Sequence, residues 1–258
     1  MFIDINKESI DNEHICCAFS DKKCSEGYGL KKAWLKNEFE NGYKFYRLDE
    51  RAKVFIEYGP SEKAWLPIEA EGFININCFW VSGKYKNSGY GKKLLEKLEV
   101  EAREQGKKGL ITVCGKKKNN YMSDGKWLMK QGFQIVDELD TGFVLLAKIF
   151  ENNENKMKFR DSVRKGKVED KGLAIYYSNR CPFTEYYVNE ELTKLSEKNN
   201  IALKIIKLNN LEDAKNCPSP ATIFSAFYKG KFLTNDMSIC LEKNFEKIIL
   251  GEKNNGKI

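Results

Sequence analysis

The sequence lacks any apolar run near the roughly 20 residues that a helix needs to cross a bilayer. Its first stretch, "MFIDINKESIDNEHICC", has acidic residues early and no apolar core of the kind found in secretory signals. The hydrophobic content of 41% and the charged content of 31% are typical of a chain with packed cores and a solvated surface. We therefore predict a cytoplasmic protein that does not bind membranes.

Eight cysteines are present, but they form no C-x-x-C pair and no paired Cys/His spacing of a zinc site. Without a secretory signal they are expected to be free thiols. If "EHICCAFS" is a strand, its alternation places His14 and Cys16 on one face and Cys17 on the other. Such an arrangement is poor for a single metal ion, so we predict packing roles for these residues and no metal.

A concentrated basic patch is also missing. The net charge of +7 is spread along the 258 residues, which argues against a nucleic-acid partner. The local run of three lysines at 116–118 is an exception, and it fits either a solvated turn or a contact with an anion. Oligomeric state is not readable from the sequence.

The segment "ENNENKMKFRDSVRKGKVEDKG" is almost wholly polar and separates two apolar strand-like stretches. Such a change in composition is typical of a domain boundary. We therefore predict a first domain at 1–150, a polar linker at 151–171 and a second domain at 172–258. The second domain reads strand, helix, strand, then a hairpin turning at Lys229–Gly230 and a closing helix.

In the first domain, lone helices stand between strand-like runs, which favours a mixed α/β sheet flanked by helices. The strand-like runs are "FIDI", "ICCAF", "YKFYRL", "AKVFIEY", "GFININCFWV", "GLITVC", "FQIVDEL" and "GFVLLAKIF". Helical patterns are "GLKKAWLKNEFENG", the segment after Gly89, and "SDGKWLMKQG".

A glycine-rich turn, "KYKNSGYGKK", connects the strand "FININCFWV" to the helix after Gly89. A helix start leaves backbone N–H groups unpaired, and glycines let an anion approach them closely. The turn therefore fits a pyrophosphate site, but its spacing alone slightly favours a plain strand-to-helix turn whose glycines serve geometry. It is neither a Walker loop nor a complete G-x-G-x-x-G fingerprint.

The element order gives this turn a resemblance. "KNSGYG", from Lys86 to Gly91, resembles the acetyl-CoA motif of the GCN5-related N-acetyltransferases (GNAT), which begins with Arg or Gln. "KWLMKQGFQIVDE" resembles the Y-x-K-x-G-F stretch that closes the family's CoA site. Two residues depart from the pattern. Lys86 replaces Arg or Gln, and Leu128 stands where many members carry the tyrosine that protonates the departing thiolate.

Most of the chain is similar to a bacterial subfamily of acetyltransferases with a C-terminal YoaP-type domain. The stretches that carry this similarity are "VFIEYGPSEKAWLPIEAEGFININCFWVSGKYKNSGYGKKLL", "KKKNNYMSDGKWLMKQGF", "YYSNRCPFTEYYV" and "FYKGKFLTND". The resemblance implies a GNAT domain followed by a smaller thioredoxin-like α/β domain. It also implies acetyl transfer from acetyl-CoA, without a metal, to the amine of a small molecule, a peptide or a protein.

The resemblance assigns cofactor-binding roles. The pantetheine arm would lie between the strand "GLITVC" and the strand that ends in Phe79, Trp80 and Val81. Asn119 or Asn120 would contact the pantetheine or its thiol end. The pyrophosphate would be held by the turn formed by Lys86, Asn87, Ser88, Gly89, Tyr90, Gly91 and Lys92.

Direct attack by an amine requires that the amine lose a proton, so a base is expected. Glu57 lies on a strand that could face the cleft, and Glu69 and Glu71 precede the central strand. For any one of them, the sequence favours an ordinary surface carboxylate over a base. Tyr121 is a candidate replacement for the missing acid, or an aromatic side chain packed under a loop.

In the second domain, Cys181 lies in "CPFT" between a strand and a helix, where a helix N-terminus lowers the pKa of a thiol. The arrangement resembles thioredoxin-like folds, but Thr184 replaces the resolving cysteine, which excludes dithiol exchange at this motif. Two alternatives to an acetyltransferase therefore remain. One is a non-catalytic acyl-CoA sensor with a partner-binding second domain, and the other is a monothiol redox protein that uses Cys181.

Overall fold

The computed structural model describes residues 1–150 and 156–251 and contains two sheets. The first domain consists of β1 (Phe2–Ile5), α1 (Ser25–Glu40), β2 (Lys44–Leu48), β3 (Val54–Pro60), β4 (Ile68–Glu69), β5 (Phe73–Val81), α2 (Tyr90–Glu104), β6 (Gly109–Gly115), α3 (Gly125–Lys130), β7 (Gln134–Glu138) and β8 (Phe143–Ile149). After it come β9 (Lys158–Phe159), β10 (Leu173–Tyr177), α4 (Thr184–Tyr186), α5 (Thr193–Lys198), β11 (Leu203–Lys207), α6 (Leu211–Lys215), β12 (Phe224–Tyr228), β13 (Lys231–Thr234) and α7 (Glu242–Phe245).

The larger sheet has the strand order β1-β2-β3-β5-β6-β8-β7. All neighbouring strands in it are antiparallel except β5 and β6, which run parallel. Helix α2 is the crossover between these two parallel strands. The mixed α/β sheet predicted for the first domain is confirmed.

Helix α2 packs on one face of this sheet through an apolar stripe. Its Leu94, Leu98 and Ala102 are fully buried among sheet residues such as Ile74 and Leu110. The opposite side of the helix is charged, so the amphipathic pattern fixes which side faces the core. Helix α3 covers the same face, and the carboxylate of Asp124 caps it by accepting from the Trp127 N–H.

The other face of the sheet is covered by α1 and by the second domain. Trp34 and Leu35 of α1 pack on Phe45 and Phe55. Farther along the same face, Phe143 packs with Ala221 of the second domain. The first sheet is therefore buried on both faces, which explains why its central strands are long apolar runs.

The smaller sheet has the order β11-β10-β12-β13, with β10 and β11 parallel and the other pairs antiparallel. A π-helical segment, Tyr187–Leu192, joins α4 to α5, so the crossover helix continues from 184 to 198. The predicted strand–helix–strand unit followed by a hairpin is confirmed. Lys229 and Gly230 both have positive φ angles, 49° and 80°, as a tight hairpin turn requires.

The polar segment at 151–171 lies partly outside the described residues, which resume at 156. Its described part is packed against protein. Strand β9 pairs with β4 to form a two-stranded sheet, and Phe159 is fully buried. Arg164 forms an ion pair with Asp137 of β7. The segment therefore contributes an apolar anchor to the first domain in addition to spanning the two sheets.

The prediction of a strand at "ICCAF" is wrong. Residues 15–19 form no strand, and Cys16 and Ala18 have positive φ angles. Ile15 and Cys16 are buried nonetheless, because this loop packs under α1 and the sheet. A short apolar run does not distinguish a strand from a buried loop, so the expected division of His14, Cys16 and Cys17 between two strand faces does not apply.

Within residues 1–150 and 156–251, no helix combines the length and the apolarity needed to cross a membrane. No cluster of three or more His, Cys, Asp or Glu side chains suited to a metal ion occurs among these residues either.

Candidate active site

The parallel strands β5 and β6 pair only over their first halves. Their register runs from Phe73 opposite Gly109 to Asn75 opposite Ile111. One further contact follows, in which the Thr112 hydroxyl donates to the Ile76 carbonyl at 2.9 Å. Beyond it the two strands continue without mutual pairing, so a gap opens between them and leaves backbone groups available on both edges.

A β-bulge lies where this gap begins. Ile56 of β3 pairs with Phe79 and Tyr58 pairs with Ile76, so Asn77 and Cys78 together oppose the single residue Glu57. A bulge bends its strand and re-aims its side chains. In this protein it turns the end of β5 away from β6.

Helix α2 begins beside the open end of the gap. Its N-cap, Gly89, has a left-handed conformation with φ 77°, and no side chain caps the helix. The first hydrogen bond of the helix runs from the Lys93 N–H to the Gly89 carbonyl, at 3.1 Å. The N–H groups of residues 90–92 precede this bond, so they have no acceptor within the helix. A Cβ added at Gly89 would meet no atom within 4 Å, so the space in front of these amides is open.

The surroundings of the turn are cationic and aromatic. Lys86 and Lys92 are exposed, and Lys92 has only a loose ion pair with Glu96 at 3.6 Å. Phe79 packs edge-on against Trp127 of α3, with ring centroids 5.4 Å apart, and Trp127 lies 3.4 Å from where a Cβ on Gly91 would be. The structure thus places the turn and the end of β5 together, as the assigned cofactor residues require.

Three of those assigned residues, Phe79, Trp80 and Val81, lie at the end of β5, and Trp80 is exposed. The two asparagines differ from each other. Asn119 contacts the sulfur of Met122 at 4.0 Å, whereas the Asn120 amide donates to Asp236 of the second domain at 2.7 Å. The Asn120 side chain therefore joins the two domains.

Glu57 is the most enclosed of the proposed bases. It is 1% exposed, and one of its oxygens accepts from the Lys31 ammonium at 2.6 Å and from the Tyr43 hydroxyl at 2.7 Å. A buried carboxylate requires such partners. Its position opposite the bulge places it directly behind the gap.

Glu69 and Glu71 have different surroundings. Glu69 belongs to the two-stranded sheet, is exposed, and forms an ion pair with Lys158 at 3.2 Å. Glu71 is exposed in the turn before β5. The structure does not bring Glu69 together with Glu57 or with the strand gap.

Tyr121 lies at the junction of the two domains, with a positive φ angle of 60° and a partly exposed side chain. Partial burial, together with the nearby Asp236 carboxyl and Cys181 thiol, raises the pKa of Tyr121 to about 12. Its hydroxyl therefore keeps its proton at neutral pH. Leu128, which stands at the family's usual tyrosine position, is a core residue with 1% exposure.

Cys181 does not have the environment that the sequence suggested. Burial raises the pKa of its thiol to about 12, and a hydrogen bond with the Phe183 backbone offsets only part of this. The helix that follows has no side-chain cap, and the Thr184 hydroxyl donates to the Ser178 and Cys181 carbonyls, each at 2.8 Å. The Cys217 thiol is also buried, and it interacts with the Ser219 backbone and the Ser225 side chain.

Arg180 is the residue that the sequence analysis missed. It is 6% exposed and reaches from the second domain into the first. One terminal nitrogen donates to the Trp65 carbonyl at 2.9 Å and the Thr222 hydroxyl at 2.6 Å, and the other donates to the Asn77 amide oxygen at 2.5 Å. Since Asn77 is 103 residues distant in sequence, no local pattern could have revealed this contact.

A cavity lies between the two domains at the mouth of the strand gap. Its lining includes Ile76, Asn77, Val113, Tyr121, Arg180 and Thr222. The first three come from the diverging halves of β5 and β6, and the last two come from the second domain. A reactant entering the gap from this side is therefore enclosed by both domains.

The site thus consists of a gap between two parallel strands beside a helix start without a side-chain cap. Comparison with known proteins specifies the class further. The chain matches the family model "Acetyltransferase (GNAT) family" over residues 8–133 and the model "YoaP-like" over residues 202–247. It is 41% identical over 249 residues to "Uncharacterized N-acetyltransferase YoaP" of Bacillus subtilis (strain 168), covering 96% of this chain and 98% of that protein.

The chain belongs to the GNAT acetyltransferase family, which confirms the resemblance and the acyltransferase class predicted from its motifs. Solved structures with a similar fold include PaiA N-acetyltransferase from Thermoplasma acidophilum in complex with coenzyme A, with 15% identity, TM-score 0.40, and coverage of 58% of this chain and 99% of that chain. Ribosomal-protein-alanine N-acetyltransferase from Brucella melitensis has 17% identity, TM-score 0.41, and coverage of 58% and 99%.

Proposed function

We propose that this protein is an acetyl-CoA-dependent N-acetyltransferase. The observation that carries the proposal is the gap between β5 and β6 opening next to the uncapped start of α2. The free amides at Gly89 to Lys92, with Asn87 and Ser88 before them, would hold the diphosphate, because a helix N-terminus favours anions. The pantetheine arm would lie in the gap and pair with backbone groups.

In the proposed reaction, the acceptor nitrogen attacks the thioester carbonyl. A C–N bond forms, the C–S bond breaks, and the amine proton passes to a base. We assign the base role to Glu57, which Lys31 and Tyr43 keep oriented behind the gap. Glu69 is a weaker candidate because it lies on β4, which pairs with β9 and not with the strands that form the gap. Asn119 remains a candidate contact for the thiol end of the cofactor.

Tyr121 is our candidate for the acid that protonates the CoA thiolate. Its phenol is protonated at neutral pH, and the raised pKa of about 12 makes it a weaker acid than an ordinary tyrosine. Leu128 cannot supply a proton. A leucine at this position therefore favours the alternative function, a sensor that binds acyl-CoA without turnover. The pKa of Cys181 argues against the monothiol redox alternative, which requires a thiolate.

A thermal-shift experiment tests cofactor binding. Saturating acetyl-CoA is expected to raise the melting temperature by several degrees, because ligand at a hundred times its Kd stabilises a protein by about 2.7 kcal/mol. Gly89→Trp should abolish the shift by filling the open space. Gly106→Trp is the matched control, since Gly106 ends the same helix with φ 65° and equally open surroundings. No shift in the wild-type protein would refute the proposal.

Steady-state kinetics with an amine panel separates the enzyme from the sensor. Tyr121→Phe is expected to lower kcat about tenfold to a hundredfold while leaving the acetyl-CoA thermal shift intact, since general acid–base catalysis contributes roughly 10²–10⁴-fold. Glu57→Gln should lower kcat and also stability, because it leaves Lys31 buried without a counter-charge. CoA binding without thiol release on any amine would favour the sensor.

A further inference from the structure

The cavity between the two domains contains a buried cation without a carboxylate partner. Arg180 makes three hydrogen bonds, all of them to uncharged oxygens. Among the described residues, no carboxylate lies within ion-pair distance of the Arg180 guanidinium. Fourteen other lysine and arginine side chains in the described part of the chain do form ion pairs. The Trp34 ring, with its centroid 5.9 Å from the guanidinium carbon, offers a weak cation–π contact. A buried charge without an ion-pair partner is nevertheless costly, so this position calls for a function.

Nearby acids do not serve as the missing partner. Glu57 is bound by Lys31 at 2.6 Å, and that pair is neutral as a unit. Glu38 is farther from the guanidinium than ion-pair distance, and burial raises the pKa of its carboxyl. Burial also lowers the pKa of Arg180 from its usual value, while the same acids and Tyr43 act in the opposite direction. An added anion in the cavity would therefore be attracted to Arg180.

The Arg180 guanidinium also has free N–H groups with which to bind an anion. It carries five N–H donors, of which the three hydrogen bonds use three. A planar fork of this kind suits a carboxylate. Arg180 lines the cavity together with Tyr121 and Thr222, so a carboxylate entering the cavity would reach it directly.

Position relates this site to the reaction. Arg180 donates to Asn77, the first residue of the bulge at which β5 leaves β6. A group bound by Arg180 thus lies at the mouth of the gap, where the proposed thioester would end. An acceptor with its amine at the thioester and its carboxylate at Arg180 must hold the two groups a few bonds apart, as an amino acid does.

We infer that Arg180 binds the carboxylate of the acceptor, so that the substrate is a small amine that also carries a carboxylate, such as a free amino acid. The inference rests on the proposed acetyltransferase function and names its substrate class. The second domain supplies Arg180 and Thr222 to the cavity wall, so it completes the acceptor site. A protein lysine would have to displace this domain to reach the same place.

The test compares free α-amino acids with their α-carboxamides as acceptors, measured by CoA release. In the wild-type protein, kcat/KM for the best acid should exceed that for its amide by at least about thirtyfold, because losing one partner of a buried charge pair costs 2–5 kcal/mol. Arg180→Gln should bring the acid-to-amide ratio close to one, mainly through KM. Arg180→Lys should restore part of the preference.

Arg47→Gln is the matched control. Arg47 is also buried, at 3% exposure, but it pairs with Glu13 and bonds the Leu48 carbonyl away from the cavity. This variant should keep the acid preference of the wild-type protein. Loss of the preference in both variants would show that it reflects general damage to the fold, which would contradict the inference.

A second measurement uses the wild-type protein alone, so it does not depend on a variant that folds. With CoA bound, free amino acids should raise the melting temperature more than their amides do. The inference is overturned if acids and amides stabilise the protein equally, or if amines without a carboxylate are turned over as fast as amino acids. In either case, a thermal shift with acetyl-CoA would still support the proposed function. Absence of the acetyl-CoA shift itself would remove both.

Discussion

Two turns in this protein connect a strand to a helix, and their surroundings are opposite. The turn after β5 ends at Gly89, is exposed, and leaves the start of α2 without a side-chain cap. The turn after β10 contains Arg180 and Cys181 and packs against the first domain, and its Thr184 hydroxyl donates to the Ser178 carbonyl. The first turn is therefore open to solvent, whereas the second is covered by other parts of the chain.

This difference shows that a strand–turn–helix arrangement does not specify a ligand by itself. Glycine at the first turn removes the side chain that would fill the space before the amides. At the second turn, Gly27 of α1 and the Trp65 carbonyl pack against Pro182 and Arg180. The consequence is that one helix start remains open, while the turn before the other positions Arg180 at a cavity between domains.

The largest expected effect is on the alkylation rate of Cys181, which reports whether the second turn is covered. With a pKa of about 12, its thiolate fraction at pH 7.5 is roughly a thousandfold below that of a free cysteine with pKa ~8.5. Native-state alkylation by iodoacetamide, followed by mass spectrometry, should be correspondingly slow and should increase with pH beyond 9 without a plateau.

The same protein in denaturant is the control for that experiment, and Cys181→Ser identifies the modified peptide. A native alkylation rate equal to that of a free thiol would show that the second turn is open. In that case the comparison between the turns would fail.

An intermediate effect is expected where α1 meets the second turn. A Cβ added at Gly27 would overlap the Pro182 carbonyl, whereas one at Gly29 of the same helix would meet no atom within 4 Å. Gly27→Ala should therefore lower the free energy of unfolding by about 1–3 kcal/mol, as overpacking does. Gly29→Ala should raise it by up to about 1 kcal/mol, since alanine favours helices.

Denaturant unfolding of both variants measures this pair. Because the two substitutions are chemically identical and two residues apart, their opposite signs isolate the contact between α1 and Pro182. Equal stabilisation of both variants would mean that the second turn does not pack closely on the first domain.

The sequence was sufficient for those parts of the fold that depend on local pattern. The run "FININCFWV" predicted a strand, and the segments after Gly89 and around "SDGKWLMKQG" predicted helices. These features follow from the composition and periodicity of short segments, which act over a few residues.

Features that depend on distant contacts were not predictable. Strand β4 pairs with β9, which lies about 90 residues later in the sequence. The contact of Arg180 with Asn77 arises only when the two domains pack together. The thiol pKa of Cys181 was expected to be low from its place near a helix start, but burial by the other domain raises it. Desolvation depends on the whole fold, so no short motif reports it.

A crystal structure of the protein with coenzyme A tests the central claim most directly. The account predicts the diphosphate against the amides of residues 87–92 and the pantetheine arm between β5 and β6, ending near Asn77. A diphosphate bound at another place, with the two strands closed against each other beyond Ile76, would contradict it.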